Sequence, residues 1–282
     1  CIGTLDDGYI LASESCALDA VGARFLRDVD PGEIVIINSD GLHSLQGSEK
    51  TLNQTCSFEY IYFARPDSIV DGRSVYEMRR GSGKILAREA HVQADFVAAV
   101  PDSGIPAAIG YSEESGIPYG TALIKNRYVG RSFIKPSDGD RRRTVHVKLN
   151  PLDGAVKGRK IVLIDDSIVR GTTMQMLVSR LRQVGAAEVH VRIASPPVAF
   201  PCYFGIDTPY REDLISSHHD QERVRSHIGA DSLAFLSLEG LFTALGGRGS
   251  FCTGCFAGVY PVGAPIGTTA GVCKQEAVRN EV

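Results

Sequence analysis

Asp165 and Asp166 follow four apolar residues, Ile161-Val162-Leu163-Ile164. They precede a run of hydroxyls with an arginine and a glycine, Ser167-Ile168-Val169-Arg170-Gly171-Thr172-Thr173. An apolar run of that length reads as a buried strand, so the two carboxylates stand where the strand leaves its sheet. Open parallel sheets bind ligands outside the carboxyl ends of their strands. Adjacent carboxylates suit vicinal sugar hydroxyls, or a Mg2+ bridged to them through ligand and water. Backbone N–H groups at the start of the following helix can hold a phosphate, aided by the positive end of the helix dipole. Taken alone, paired acids are an ordinary charged strand end before a capped helix. All thirteen residues together point to a ligand.

The cysteines are the second chemical signal. Cys252-Thr253-Gly254-Cys255 is a Cys-x-x-Cys pair, compatible with zinc, iron–sulfur or redox chemistry. Seven cysteines in 282 residues are odd in number and too few for a disulfide scaffold. They read as reduced thiols or metal ligands, which favours a cytoplasmic protein. Cys1 opens the chain with no methionine and no basic leader, so it is either a nucleophile using its own amine as base or a truncation point. His218-His219 have no spaced partners and read as a solvated loop.

Composition removes other classes. The chain has 30 basic and 33 acidic side chains, with Arg141-Arg142-Arg143 the one dense basic cluster, which argues against nucleic-acid binding by broad charge. No stretch approaches ~18 apolar residues, which excludes a helical membrane span. With 43% hydrophobic and 22% charged residues, the chain has an ordinary globular composition.

The elements that must position these groups are legible as patterns. Tyr9-Ile10-Leu11 and Glu33-Ile34-Val35-Ile36-Ile37 read as strands, with a helix capped by Ser13 and running through Leu26 between them. Asn38-Ser39-Asp40-Gly41 is a turn signal into His43-Ser44-Leu45. Phe96-Val97-Ala98-Ala99-Val100, Val189-His190-Val191-Arg192-Ile193 and Leu233-Ala234-Phe235-Leu236 join 161–164 as short apolar runs. Met174, Leu177, Leu181 and Val184 mark one face of a helix ending near Gly185. This alternation predicts an α/β fold, a mostly parallel sheet flanked by helices. Residues 246–282, rich in Gly, Pro, Thr and Cys, read as irregular and partly mobile.

The segment 161–173 resembles the phosphoribosyl-pyrophosphate (PRPP) loop of type I phosphoribosyltransferases. The form Ser-Ile-Val-Arg-Gly-Thr-Thr after the acids is similar to that of the glutamine PRPP amidotransferases. Ala12-Ser13-Glu14-Ser15-Cys16-Ala17-Leu18 resembles the end of that family's glutaminase domain, and Phe58-Glu59-Tyr60-Ile61-Tyr62-Phe63-Ala64-Arg65-Pro66-Asp67-Ser68 the start of its transferase domain. Pro101-Asp102-Ser103-Gly104 and Lys125-Asn126-Arg127-Tyr128 match as well, so the resemblance covers nearly the whole chain. It implies the type I phosphoribosyltransferase fold, preceded by the C-terminal remnant of an N-terminal-nucleophile glutaminase sandwich. The expected divisions are 1–50, 51–245 and a cysteine-bearing tail, 246–282.

Carried over residue by residue, the resemblance implies Mg2+ at Ser103, Asp165 and Asp166. PRPP contacts follow at Asp102, Gly104, Asp165, Asp166 and the loop Ser167, Ile168, Val169, Arg170, Gly171, Thr172 and Thr173. Lys125, Arg127 and Tyr128, with Gly130 and Arg131, belong to a loop that closes over substrate. The glycine of the 101–104 turn is expected to let backbone approach the pyrophosphate. Family members with a 4Fe–4S centre have cysteines matching Cys56, Cys202, Cys252 and Cys255, with zinc or no metal as alternatives. The implied reaction is PRPP plus ammonia to 5-phosphoribosylamine plus pyrophosphate, the first committed step of purine biosynthesis, with ammonia from glutamine in the intact protein. Purine nucleotides are implied inhibitors and homo-oligomers the implied assembly. Residues 2–8 resemble the late part of the glutaminase domain, so Cys1 is not expected to be its nucleophile and the chain is expected to be truncated. A purine or pyrimidine base phosphoribosyltransferase, or a PRPP-sensing regulator, are the alternatives.

Overall fold

The computed structural model describes residues 1–48, 53–126, 128, 149–208, 210–249 and 251–263, and the chain divides into two compact units. The first takes in Cys1–Met78 and Arg248–Cys252. Its strands β1 (Ile2–Leu5), β2 (Gly8–Leu11) and β3 (Arg24–Arg27) form an antiparallel sheet of order β2-β1-β3. The helix expected from Ser13 to Leu26 is shorter at both ends: α1 spans Ser15–Ala20, burying Cys16 and Leu18. Glu14 stands at its N-cap, and the Glu14 carboxylate accepts from the Arg65 N–H (2.7 Å) and Ser68 Oγ (2.8 Å) instead of capping the helix. Gly22, at φ 73°, turns the chain out of the helix, and 24–27 pair with β1. Sheet pairing overrides the local helical pattern there.

The hairpin signal at 38–41 holds. β4 (Glu33–Asn38) pairs with β5 (Gly41–Gln46), Asn38 opposite Gly41 at φ 113°. Farther on, β6 (Thr55–Cys56) leads into a single π-helical turn, Glu59–Phe63, and then a short hairpin of β7 (Ile69–Val70) and β8 (Arg73–Ser74). Residues Phe251–Cys252 return to this unit and lie parallel beside β6.

The second unit starts within α2 (Val75–Glu89) and contains the predicted parallel sheet. β9 (Phe96–Ala99) is followed by α3 (Ile105–Ser115) and an antiparallel pair, β10 (Leu123–Lys125) with β11 (Leu149–Pro151). Then come α4 (Asp153–Val156), β12 (Lys160–Asp165), α5 (Thr172–Gln183), β13 (Glu188–Ile193), α6 (Gln221–Ile228), β14 (Ser232–Phe235) and α7 (Leu238–Ala244). The four main strands run parallel in the order β14-β13-β12-β9. One face buries Ile161, Leu163, Val191 and Ile193 against Met174, Leu177 and Leu181 of α5 and Val224 and Ile228 of α6. Because both faces are covered, the strands read as continuous apolar runs.

α2 and α3 meet almost backbone to backbone. A Cβ on Gly83 would fall 1.9 Å from the Ala107 carbonyl oxygen, and one on Gly110 would fall 1.9 Å from the Arg80 carbonyl oxygen. Two glycines thus set the spacing of the helix that begins immediately after the 101–104 turn. Among the described residues no helix is long and apolar enough to cross a membrane.

Candidate active site

The sheet order puts β9 beside β12, so the turns leaving their carboxyl ends are neighbours. The Val100 N–H donates to the Ile164 carbonyl (2.8 Å), extending the ladder one step past β9. Ser103 Oγ then donates to Asp166 Oδ1 at 2.5 Å, joining residues 63 apart in sequence. Ser167 Oγ donates to Asp166 Oδ2 at 2.6 Å, and the Asp166 N–H donates to Asp165 Oδ1 at 2.9 Å. Asp165 and Asp166 are 9% and 6% exposed. Burial, with the neighbouring charge of Asp166 adding to it, holds the Asp165 carboxyl well above the usual carboxylate range.

Such a pair concentrates negative charge in little solvent, and its donors are all oxygen. Among the described residues no group of three or more His, Cys, Asp and Glu is gathered to hold a metal. Mg2+ needs fewer protein ligands, because it keeps waters and takes substrate oxygens. Asp165, Asp166 and Ser103 therefore form a donor set that fits that ion.

The loop after the acids is anchored from below and open above. Ile168 is buried in the core, Gly171 takes φ 78° at the N-cap of α5, and Thr172 and Thr173 are exposed. The first N–H groups of a helix have no partner within it, so the start of α5 presents donors to an anion. The Val169 carbonyl accepts from the Ile215 N–H (2.9 Å), and Arg170 donates to Asp213 Oδ2 (2.6 Å). Asp213 and Ile215 escaped the sequence reading. They lie on short 3-10 turns, Arg211–Asp213 and Ile215–Ser217, with no hydrophobic period to mark them.

Gly104 also meets a packing demand of its own. A Cβ there would meet the Ile164 carbonyl oxygen at 2.7 Å, and its N–H is committed to the Val100 carbonyl (3.1 Å). The glycine lets the turn press against β12. Asp102 is exposed and forms an ion pair with Lys125, the last residue of β10. Tyr128 is 100% exposed, its N–H donating to Asn126 Oδ1 at 3.0 Å. Arg127, Gly130, Arg131 and 141–143 lie outside the described residues.

Cys56 and Cys252 sit opposite each other in the parallel pairing of β6 with 251–252, and Ser57 Oγ donates to the Cys252 carbonyl at 2.8 Å. Burial pushes the Cys56 thiol up to about 11, with the charge on Cys252 adding to it. In the second unit the Phe204 N–H donates to Cys202 Sγ (3.4 Å), and Cys255 lies in the helical turn Gly254–Ala257 with its carbonyl accepting from the Ala199 and Phe200 N–H groups (3.0 Å each). The Cys1 amine donates to the Ala12 carbonyl at 2.7 Å, and its thiol approaches the same oxygen at 3.4 Å.

No protein-family model matches the chain. Among characterised proteins it is 54% identical over 268 residues to the amidophosphoribosyltransferase of Archaeoglobus fulgidus, covering 94% of this chain and 59% of that protein. It is 52% identical over 265 residues to the Bacillus subtilis enzyme of the same name, covering 92% and 56%. The chain thus spans little more than half the length of these relatives. Its fold superposes on glutamine PRPP amidotransferase from B. subtilis, solved in complex with ADP and GMP, with a TM-score of 0.87 and 51% identity over 95% of this chain and 60% of that one. A structure described as the allosteric regulatory enzyme of purine biosynthesis gives a TM-score of 0.86 and 50% identity, over 96% and 59%. By sequence and by fold, nearly all of this chain is similar to a part of the amidophosphoribosyltransferases.

Proposed function

We propose that this chain carries the transfer half of the family's reaction: PRPP and ammonia give 5-phosphoribosylamine and pyrophosphate. The observation that supports it most is the convergence of the 101–104 turn and the buried acidic pair beside an open helix start. Backbone N–H groups at the start of α5 take the 5-phosphate, while Asp165 and Asp166 accept hydrogen bonds from the ribose hydroxyls. The 101–104 turn lies toward the pyrophosphate. Lys125, Arg127 and Tyr128 serve the pyrophosphate, the two cations offsetting its charge as it leaves. The C1–O bond breaks, the ribose gains oxocarbenium character, and ammonia forms the C1–N bond from the opposite face, losing a proton. The chain's work is positioning, charge stabilisation and exclusion of water, which would otherwise attack C1 in place of ammonia. Ser103, Asp165 and Asp166 would hold Mg2+, which when bound neutralises charge on the pyrophosphate.

Cys56, Cys202, Cys252 and Cys255 would hold a 4Fe–4S centre serving stability rather than catalysis. The in-register pair at 56 and 252 supports this, since a cluster needs thiols brought side by side. Functionally, 1–50 belong to the glutaminase side, 51–245 to the transferase and 246–282 to the cysteine-bearing tail. Purine nucleotides act as inhibitors, which the ADP and GMP bound to the B. subtilis relative support, and the protein assembles as a homo-oligomer in the cytoplasm.

The test is pyrophosphate release from PRPP and Mg2+ with ammonia, with glutamine and with neither. Turnover with ammonia alone is expected. Equal turnover with glutamine would make Cys1 a nucleophile, and PRPP binding without turnover would favour a sensor.

A further inference from the structure

One short segment grips three consecutive residues of the loop that precedes α5. Asp213 Oδ2 takes the Arg170 guanidinium at 2.6 Å, the Ile215 N–H donates to the Val169 carbonyl at 2.9 Å, and a Cβ on Gly171 would fall 2.8 Å from Ile215 Cδ1. The segment is itself closed: Ser217 Oγ donates to the Arg211 and Leu214 carbonyls, both at 2.7 Å. Ile168, on the other side of the loop, is buried in the core. The loop is therefore held below by the sheet and outside by 213–215, leaving its helix-start N–H groups as the free side. An arginine in an anion-binding loop would otherwise swing among many rotamers, drawing the backbone with it.

We propose that Asp213 is a positioning residue for the 5-phosphate subsite: by fixing Arg170, together with Ile215 on Val169, it keeps the loop backbone in the conformation that cradles the phosphate. This inference rests on the reading of 167–173 as the 5-phosphate loop. Charge alone predicts the opposite sign for a variant. Removing a carboxylate near an anion site strengthens anion binding, and a released Arg170 would strengthen it further. Positioning predicts weaker binding, so the sign of the effect decides.

The experiment measures the affinity of the whole chain for ribose 5-phosphate, PRPP and pyrophosphate, each with Mg2+, by calorimetry, in the wild type, Asp213→Asn and Asp213→Glu, with thermal midpoints alongside. In Asp213→Asn the two ligands carrying a 5-phosphate are expected to bind about fivefold more weakly, the scale of one exposed ion pair. Pyrophosphate, which lacks that group, should stay within about twofold. Asp213→Glu, keeping the charge, should recover most of the loss. Unchanged or tighter binding of ribose 5-phosphate in Asp213→Asn overturns the proposal. So does an equal loss for all three ligands with a lowered midpoint, which is general damage. A wild type that binds pyrophosphate but neither ribose 5-phosphate nor PRPP overturns the 5-phosphate reading itself, and this inference with it.

Discussion

Asp166 accepts from two serines on different turns, and Asp165 accepts from the Asp166 backbone, so the acidic pair is held by hydrogen bonds from both strand ends. Those bonds leave two carboxyl groups buried side by side, an arrangement that costs stability. Asp165→Asn preserves the Oδ1 that accepts the Asp166 N–H while removing the ionisable group. Its thermal midpoint is expected to equal or exceed that of the wild type. PRPP-dependent pyrophosphate release should fall by about 10²-fold or more. A variant that lost its midpoint together with its activity would contradict this view of the site. Ser103→Ala removes one of the two hydroxyls on Asp166. Pyrophosphate release is expected to fall by roughly tenfold or more, the scale of about 1.5 kcal/mol for a hydrogen bond to a charged group.

Between α2 and α3 two kinds of contact compete for the role of spacer. Arg80 and Lys84 pair with Glu113, and Arg88 pairs with Glu114, but these groups sit at the rim and are largely hydrated. The two glycines permit near contact of the helix backbones, which no other residue tolerates without moving a helix. Gly83→Ala or Gly110→Ala should cost about 3 kcal/mol or more by overpacking, since a carbonyl cannot step aside as a side chain does. Because α3 starts at Ile105, directly after the turn that carries Ser103, the same change should weaken PRPP binding. Denaturant midpoints of these variants, compared with Glu113→Gln, check the ranking. The charge variant should stay close to the wild type.

The two units should meet acid differently. In the second, His190 is buried between Glu188 and Ser232 on β13 and β14, with Arg192 and Asp231 near. Burial holds its pKa below the ordinary 6.5 despite Glu188. The unfolded chain then binds the proton more readily than the folded one, so stability falls as pH drops through about 6.5. In the first, the Arg27 guanidinium beside Glu33 (2.5 Å), with Ser44 and the Asp30 N–H, lowers the Glu33 carboxyl to about 2 from 4.5. That contribution is complete above about 4.5 and is lost as pH falls toward 2. Denaturation followed from pH 7.5 to 3, in the wild type and in one variant of each residue, separates the two contributions. His190→Asn should flatten the upper part of the profile and Glu33→Gln the lower.

What the sequence determined by itself is what burial writes locally. A strand covered on both faces must be apolar along its length, so 96–100, 161–164, 189–193 and 233–236 were legible, as were the helix face of Met174, Leu177 and Leu181 and the acids at the end of β12. The turn at 38–41 was legible because few residues accept its backbone. Only the tertiary structure decided what depends on which distant segments meet. Residues 24–27 have a helix-like pattern but join a sheet, because β1 offers them partners. Ser103 reaches Asp166 because β9 and β12 are neighbours. Gly104 answers to the Ile164 carbonyl, and Arg170 finds Asp213 43 residues away. Periodicity reports whether a side chain is buried, which is a one-residue property. A hydrogen bond or a close backbone approach is a two-residue property, fixed only when the chain's topology closes the loop between them.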